Sequence, residues 1–335
     1  MGMDAFSAGD AAEVILRADK LTKHFPINKK QVVHALNEAD LSLVEGETLA
    51  LVGESGCGKS TLARTLTGLI PPTSGKVWYR GQELTGMSKS EFRRVNRKMQ
   101  MVFQDPYASL DPRMTVRDLI AEPLETYHVC AGKEETTEKV LELMERVGLP
   151  GEFLMRYPHQ FSGGQRQRIG IARAIALDPE ILICDEPVSA LDVSVQSQIL
   201  NLLKRLKKEM HLTSLFIGHD LSVIHFIADR VCVMFLGNIC DVAPKDELYS
   251  RPRHPYTGFL LDAIPQADPH LRDSHRKLLV GEVPSPVHPP EGCCFHTRCP
   301  YADERCRAEK PQLKDYGGGH FAACHKGAAQ VAAYQ

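Results

Sequence analysis

Four clusters of residues carry groups that could do chemistry at their spacing. Gly53-Glu54-Ser55-Gly56-Cys57-Gly58-Lys59-Ser60-Thr61 follows the apolar run Thr48–Val52 and opens a helical pattern, which fits G-x-x-x-x-G-K-[ST] in strand–loop–helix context. Its glycines let backbone N–H groups turn inward around a β-phosphate, and the helix start adds partial positive charge. Lys59 is placed to reach β- and γ-phosphates, and the Ser60 hydroxyl to ligate Mg²⁺. The alternative is a Gly-rich turn before a helix. Ile181-Leu182-Ile183-Cys184-Asp185-Glu186 is an apolar strand ending in two acids. Such acids point into the crevice where ligands bind. Asp185 is expected to hold Mg²⁺ through water, and Glu186 to orient and deprotonate an attacking water. Taken alone, the pair would read as a solvated acidic turn.

The third cluster is Phe161-Ser162-Gly163-Gly164-Gln165-Arg166-Gln167-Arg168, again at a helix start. Ser162 and the Gly163 and Gly164 amides can form a second anion nest; the plainer reading is a helix cap followed by a basic face. The fourth is a cysteine-rich tail, in which five of the ten cysteines fall in the last 43 residues. Cys293, Cys299, Cys306 and Cys324 are spaced C-x₅-C-x₆-C-x₁₇-C. Four such thiolates can hold a [4Fe–4S] cluster or a tetrahedral zinc. The short C-x₂₋₄-C pairing usual for zinc is absent, and four free thiols in a buried loop cluster remain a reading. Cys294 could replace Cys293 as ligand. Cys57 sits in a variable place of the phosphate loop, and Cys184 and Cys232 read as small buried hydrophobes.

These groups need elements to position them. From 14 to 52, short apolar runs alternate with turn signals and read as strands. A helix from Lys59 to about Leu69 stops before Pro71-Pro72. Val77–Tyr79 and Met99–Phe103 read as strands flanking a polar, basic segment. Thr115–Leu124 and Thr136–Val147 carry apolar residues at helical spacing. A helix over 165–177 precedes the strand Ile181–Cys184. Helices over Val195–Lys208 and Leu221–Ala228 then alternate with strands Ser214–Ile217 and Val231–Phe235, the pattern of a parallel α/β sheet. After about 245, Pro252, Pro255, Pro265, Pro284, Pro286, Pro289 and Pro290 break up the chain, which puts a domain boundary near 245. No internal repeat or low-complexity tract is visible.

The 335 residues fit one large domain with an appendage, or two domains. A net charge of −2 argues against nucleic acid as the main partner. No apolar run approaches the length of a membrane span. Met1–Asp10 lacks the basic start and apolar core of a secretory signal, and Phe6 spoils the myristoylation pattern. The expected location is therefore cytoplasmic.

At Phe161-Ser162-Gly163-Gly164-Gln165 the sequence resembles the ATP-binding cassette (ABC) family, whose signature is [LF]-S-G-G-Q. The resemblance spans about 14–245. It implies an α/β fold of the ABC-type P-loop NTPase kind, with a RecA-like parallel core, an antiparallel β subdomain and an α-helical subdomain at about 105–165. The ATPase domain would cover 14–245, and a small Cys-rich extension 246–335. ATP and Mg²⁺ are the implied cofactors. Gln104 matches the loop that contacts Mg²⁺ and water and senses the membrane partner. Ser189-Ala190-Leu191-Asp192 matches the loop that crosses a dimer interface. His219 matches the switch histidine that grips the γ-phosphate, and Phe25 occupies the place of the residue that stacks on adenine. The nest at Ser162, Gly163, Gly164 and Gln165 would close on the nucleotide of a partner subunit.

Arg253-His254-Pro255-Tyr256-Thr257-Gly258-Phe259-Leu260-Leu261 and Gly281-Glu282-Val283-Pro284-Ser285-Pro286 resemble the extension of the oligopeptide/dipeptide branch of ABC importers. Members of that branch carry an iron–sulfur cluster here, which favours [4Fe–4S] over zinc. The resemblance implies an ATPase on the cytoplasmic face of a bacterial inner membrane, driving uptake of dipeptides or short peptides. Nickel, haem and other peptide-like solutes are alternatives within the branch. The implied partners are a second ABC ATPase subunit, expected to be a paralogue in a heterodimer, two transmembrane permease subunits and an extracytoplasmic solute-binding protein, with no nucleic acid. Two rivals stand against this. Soluble ABC ATPases acting on nucleic acid or the ribosome carry paired cassettes or a long coiled-coil insertion, and this sequence has neither. The other rival is a redox- or metal-sensing protein whose ATPase is secondary.

Overall fold

The computed structural model describes residues 13–264 and 281–327. The N-terminal stretch read for signals, and Pro265, lie outside them. The chain forms two compact units, one drawn from Met1–Gly86 and Gly218–Gln335, the other being Met87–Ile217.

The first unit contains two sheets' worth of strands. Val14–Pro26 pairs antiparallel with Val32–Val44 on one side and with Ser74–Tyr79 on the other, and Ser74–Tyr79 pairs with Gln82–Glu83. These strands are partly buried, as befits a sheet with one covered face. Thr48–Val52 and Arg230–Phe235 are instead buried at every position, the mark of strands covered on both faces. They run parallel, with Leu49 opposite Arg230 and Val52 opposite Val233. Arg230 lies inside a buried strand because Glu47 takes its guanidinium at 2.9 and 3.2 Å. Asp229 accepts the Thr48 N–H at 2.8 Å. These contacts fix the foot of the strand that ends at Gly53.

Beyond Arg230–Phe235 the pairing turns antiparallel. Asn238–Pro244 pairs with it, and the short strand Phe321–Ala322 pairs with Asn238–Pro244. Lys314–Asp315 then pairs with Phe321–Ala322. The residues after 245 thus join the first unit's own sheet. Asp241, wholly buried on Asn238–Pro244, gathers them. It accepts from the Arg253 and His254 amides, from Thr257 Oγ1 at 2.8 Å and from His320 Nε2 at 2.8 Å. The proline-rich stretch also contains a helix, Pro255–Asp262, with Pro255 in its first turn, where a missing N–H costs nothing.

The second unit has a parallel three-stranded arrangement, Met99–Val102 with Ile181–Asp185 and Ile181–Asp185 with Thr213–Ile217. Its helices are Lys89–Asn96, Val116–Thr126, Lys133–Arg146, Gly163–Ile175 and Val193–Met210. The segment read only as polar and basic is the helix Lys89–Asn96, closed by a capping box between Ser88 and Glu91. Among the described residues no helix is long and apolar enough to cross a membrane.

Candidate functional site

The phosphate loop leaves the buried strand at Gly53 and enters the helix Lys59–Leu66, which ends three residues before the expected Leu69 because Gly68 turns left-handed (φ 68°). Gly58 is the N-cap, at φ 106°, and no side chain caps the helix. A Cβ there would sit 2.3 Å from the Ala35 carbonyl oxygen, so both backbone and space demand glycine. Lys59 is buried, and its ammonium donates to the Gly53 and Glu54 carbonyls at 2.8 and 3.1 Å. Cys57 is buried beneath the loop, and burial raises its thiol pKa. Glu54 is held from elsewhere in the chain. Its amide donates to Tyr256 Oη at 2.9 Å, and its carboxylate receives Arg298 at 2.7 and 3.2 Å. Neither Tyr256 nor Arg298 was read as a site residue. The motif around Tyr256 is visible in sequence, and Arg298 directly precedes Cys299.

Two other expected residues share this unit. Gly218 donates to the Leu51 carbonyl at 3.2 Å, which brings exposed His219 beside the strand feeding the loop. Phe25 is half-buried near the end of Val14–Pro26, and the Lys23 ammonium lies 5.0 Å from its ring centroid. A face covered by a cation is one that a base could take only by displacing it.

The second unit places the acids. Asp185 is fully buried at the end of Ile181–Asp185. Glu186 follows in a left-handed conformation (φ 44°), with its amide donating to the Ile217 carbonyl at 3.1 Å. A glutamate at positive φ is strained, and the strain turns its side chain toward Gln104, whose Nε2 donates to Glu186 Oε2 at 2.9 Å. Gln104 and Glu186 are thus brought together directly.

Ser162, Gly163, Gly164 and Gln165 stand at the start of Gly163–Ile175. Ser162 Oγ accepts the Gln165 amide at 3.3 Å and Gln165 Oε1 accepts the Ser162 amide at 3.0 Å, a complete capping box. The basic face of this helix is largely internal. Arg166 is buried, donates to the Pro158 carbonyl at 2.7 Å and lies 3.8 Å from the Tyr107 ring centroid. Arg173 donates to the Ser109 carbonyl at 2.8 Å. Asp192 is exposed and caps Val193–Met210, accepting from the Val195 amide at 3.0 Å and Ser194 Oγ at 2.7 Å; these bonds lower its pKa.

Cys293, Cys299, Cys306 and Cys324 lie near enough that each of Cys293 and Cys299 feels the charges of Cys306 and Cys324. Cys294 is directed elsewhere, toward the Phe235 carbonyl at 3.8 Å and the buried Cys240. Yet among the described residues no three or more His, Cys, Asp or Glu side chains are grouped so as to hold a metal ion. Burial pushes the Cys293 thiol up to about 12 and the Cys299 thiol up to about 11. The donor type suits iron–sulfur or zinc.

Residues 36–189 match the family described as ABC transporter, and residues 241–306 match the oligopeptide/dipeptide transporter C-terminal region. The putative oligopeptide transport ATP-binding protein YkfD of Bacillus subtilis is 53% identical over 93% of this chain and 95% of its own length. The oligopeptide transport ATP-binding protein OppF of Salmonella typhimurium is 50% identical over 90% of this chain and 93% of its own. Among solved structures, the ATP-binding cassette MJ0796, described as a dimer in a post-hydrolysis state with ADP and Pi, is 30% identical with a TM-score of 0.64. It covers 69% of this chain and 99% of that one.

The chain belongs to the ABC transporter family and has the cassette fold, with strands and helices arranged as in a P-loop NTPase. Within that family it falls in the oligopeptide/dipeptide branch, as its C-terminal region and its relatives along nearly their whole length both indicate.

Proposed function

We propose that this chain is the ATP-hydrolysing subunit that powers import of dipeptides or short peptides through a membrane permease, acting as one of two cassettes. The observation that carries this is the 53% identity to a putative oligopeptide transport ATP-binding protein over 93% of the chain, beside the match of residues 241–306 to the oligopeptide/dipeptide transporter C-terminal region.

The loop Gly53–Thr61 wraps the phosphates with its amides, and Lys59 exchanges its carbonyl partners for the β- and γ-phosphates. Ser60 and Gln104 would hold Mg²⁺ directly and Asp185 through water; buried Asp185 and the Ser60 hydroxyl at the helix start are oxygen donors of the type this ion takes. An ion held there would supply charge neutralisation at the phosphates. Glu186 takes a proton from the attacking water. Its carboxylate is held by Gln104, so a turn of Gln104 toward the nucleotide frees the base. His219 grips the γ-phosphate, Phe25 stacks on adenine once Lys23 moves aside, and the residues Ser162–Gln165 serve the partner's nucleotide across an interface lined by Asp192. The second cassette is read as a paralogue, the permease as two transmembrane subunits, and the solute as delivered by an extracytoplasmic binding protein. The assembly sits at the cytoplasmic face of the inner membrane. We assign 14–245 to the ATPase domain, with a helical subdomain at about 105–165, and 246–335 to the transporter-type extension.

Glu186→Gln tests the base. It should bind ATP normally, lose on the order of 10²-fold or more in turnover and accumulate as a closed dimer; ordinary turnover would remove Glu186 from the role. For the tail, the reading is a [4Fe–4S] cluster on Cys293, Cys299, Cys306 and Cys324, with zinc as the alternative, and no catalytic step is assigned to it. Anaerobically purified protein should be brown with iron bound; colourless protein with stoichiometric zinc would reject iron–sulfur.

A further inference from the structure

Glu54 is an awkward residue for a loop that cradles phosphates. It follows Gly53 directly, and an unpaired carboxylate there would repel a polyanion. Each of its polar groups is nonetheless engaged. Its carbonyl accepts from Lys59 at 3.1 Å, its amide donates to Tyr256 Oη at 2.9 Å, and Arg298 bridges both carboxylate oxygens at 2.7 and 3.2 Å. The last two partners lie more than 200 positions away in sequence, both within the residues after 245.

The supports of Glu54 are themselves rigid. The Arg298 side chain is only 6% exposed, against 27% for Glu54. Its guanidinium lies 5.8 Å from the Phe235 ring centroid, and its amide donates to the Phe295 carbonyl at 3.0 Å. Phe235, Tyr256 and Phe295 form a fully buried cluster with centroids 4.8 to 5.3 Å apart. A two-point arginine–carboxylate pair fixes direction as well as charge. Tyrosine offers a hydroxyl at the end of an apolar body, so it can reach the Glu54 amide from inside the cluster.

We propose that Arg298 and Tyr256 are positioning residues for nucleotide binding. Arg298 neutralises Glu54 and holds it away from the phosphates, and Tyr256 fixes the backbone at the loop's entrance. This rests on the reading of Gly53–Thr61 as the nucleotide loop. The cysteine-bearing tail thereby shapes a site to which it contributes no atom in contact with nucleotide.

The test uses the full chain, with Mg·ATP affinity measured by a fluorescent ATP analogue and its displacement, and with kcat measured in the assembled transporter. Arg298→Gln should weaken ATP binding about tenfold with kcat changed less than about twofold, because a loose carboxylate repels the ground state and the transition state alike. The double variant Arg298→Gln/Glu54→Gln should recover most of the affinity lost in Arg298→Gln, since it no longer carries the free charge. Arg298→Lys should recover part of the loss, limited by its single-point contact. Tyr256→Phe, which keeps the aromatic cluster, should weaken binding about two- to threefold. Unchanged affinity in Arg298→Gln overturns the proposal. So does a double variant as weak as Arg298→Gln alone, because the arginine would then be a packing element. Lys59→Ala separates the underlying reading: if it binds ATP like the parent, the loop assignment fails whatever Arg298 does.

Discussion

The helix starts at Gly58 and at Ser162 are both glycine-bearing turns that present backbone amides, and they differ in what holds them. The first has no side-chain cap, a left-handed N-cap and supports drawn from distant parts of the chain, including Arg298 and Tyr256. The second is closed on itself by Ser162 and Gln165. It needs glycine for packing, since a Cβ on Gly164 would lie 2.4 Å from Val195 Cγ1. One loop therefore owes its shape to residues far away in sequence. The other is shaped by its own two local cap bonds. This difference suits a permanent nucleotide seat in the first case and a contact made only on closure in the second.

The comparison can be broken at its first side by Gly58→Ala. The new methyl meets the Ala35 carbonyl oxygen at 2.3 Å and the backbone at φ 106°. We expect loss of ATP binding by about 100-fold or more, with destabilisation of about 3 kcal/mol or more. Equilibrium binding and a denaturant titration check both.

A smaller effect concerns the support behind that loop. His254 Nδ1 accepts the Tyr256 amide at 3.1 Å and caps Pro255–Asp262. Burial lowers its pKa to about 4 from 6.5. The neutral ring therefore adds stability above pH 6.5 that is lost as pH falls from 6.5 toward 4. Between pH 7.5 and 5 this amounts to about 2 kcal/mol. Unfolding free energies across that range should show this slope, and His254→Asn, which keeps a cap acceptor, should flatten it.

The smallest effect belongs to the second loop. Ser162→Ala removes a local cap and should cost about 1 kcal/mol in stability while leaving ATP affinity of the isolated chain unchanged. A loss of monomer affinity comparable with that of Gly58→Ala would erase the distinction between the two loops.

Much of this was legible in the sequence because the signals are local. The phosphate loop is nine contiguous residues behind an apolar strand. The buried strand ending in Asp185 is contiguous as well. The capping box at Ser88–Glu91 was equally readable and was passed over as a charged stretch. What escaped is long-range. Nothing near Glu54 announces partners 202 and 244 residues away. The arginines after Gln165 resembled a solvated face, yet Arg166 and Arg173 turn inward to backbone carbonyls, a choice set by neighbouring loops. Cysteine spacing names the donors and leaves their convergence open, because convergence depends on charge state and on what else is packed around them.

The first unit is assembled from the beginning and the end of the chain, and the intervening residues Met87–Ile217 form a unit of their own. During synthesis the middle can fold as soon as it emerges, whereas the strand Thr48–Val52 must wait for Arg230–Phe235 and then for Tyr256 and Arg298. A nascent chain stopped before about residue 300 would carry a finished middle and an unbraced nucleotide loop. Translational arrest or a late frameshift is thus expected to yield a protein that chaperones retain, rather than a smaller working cassette.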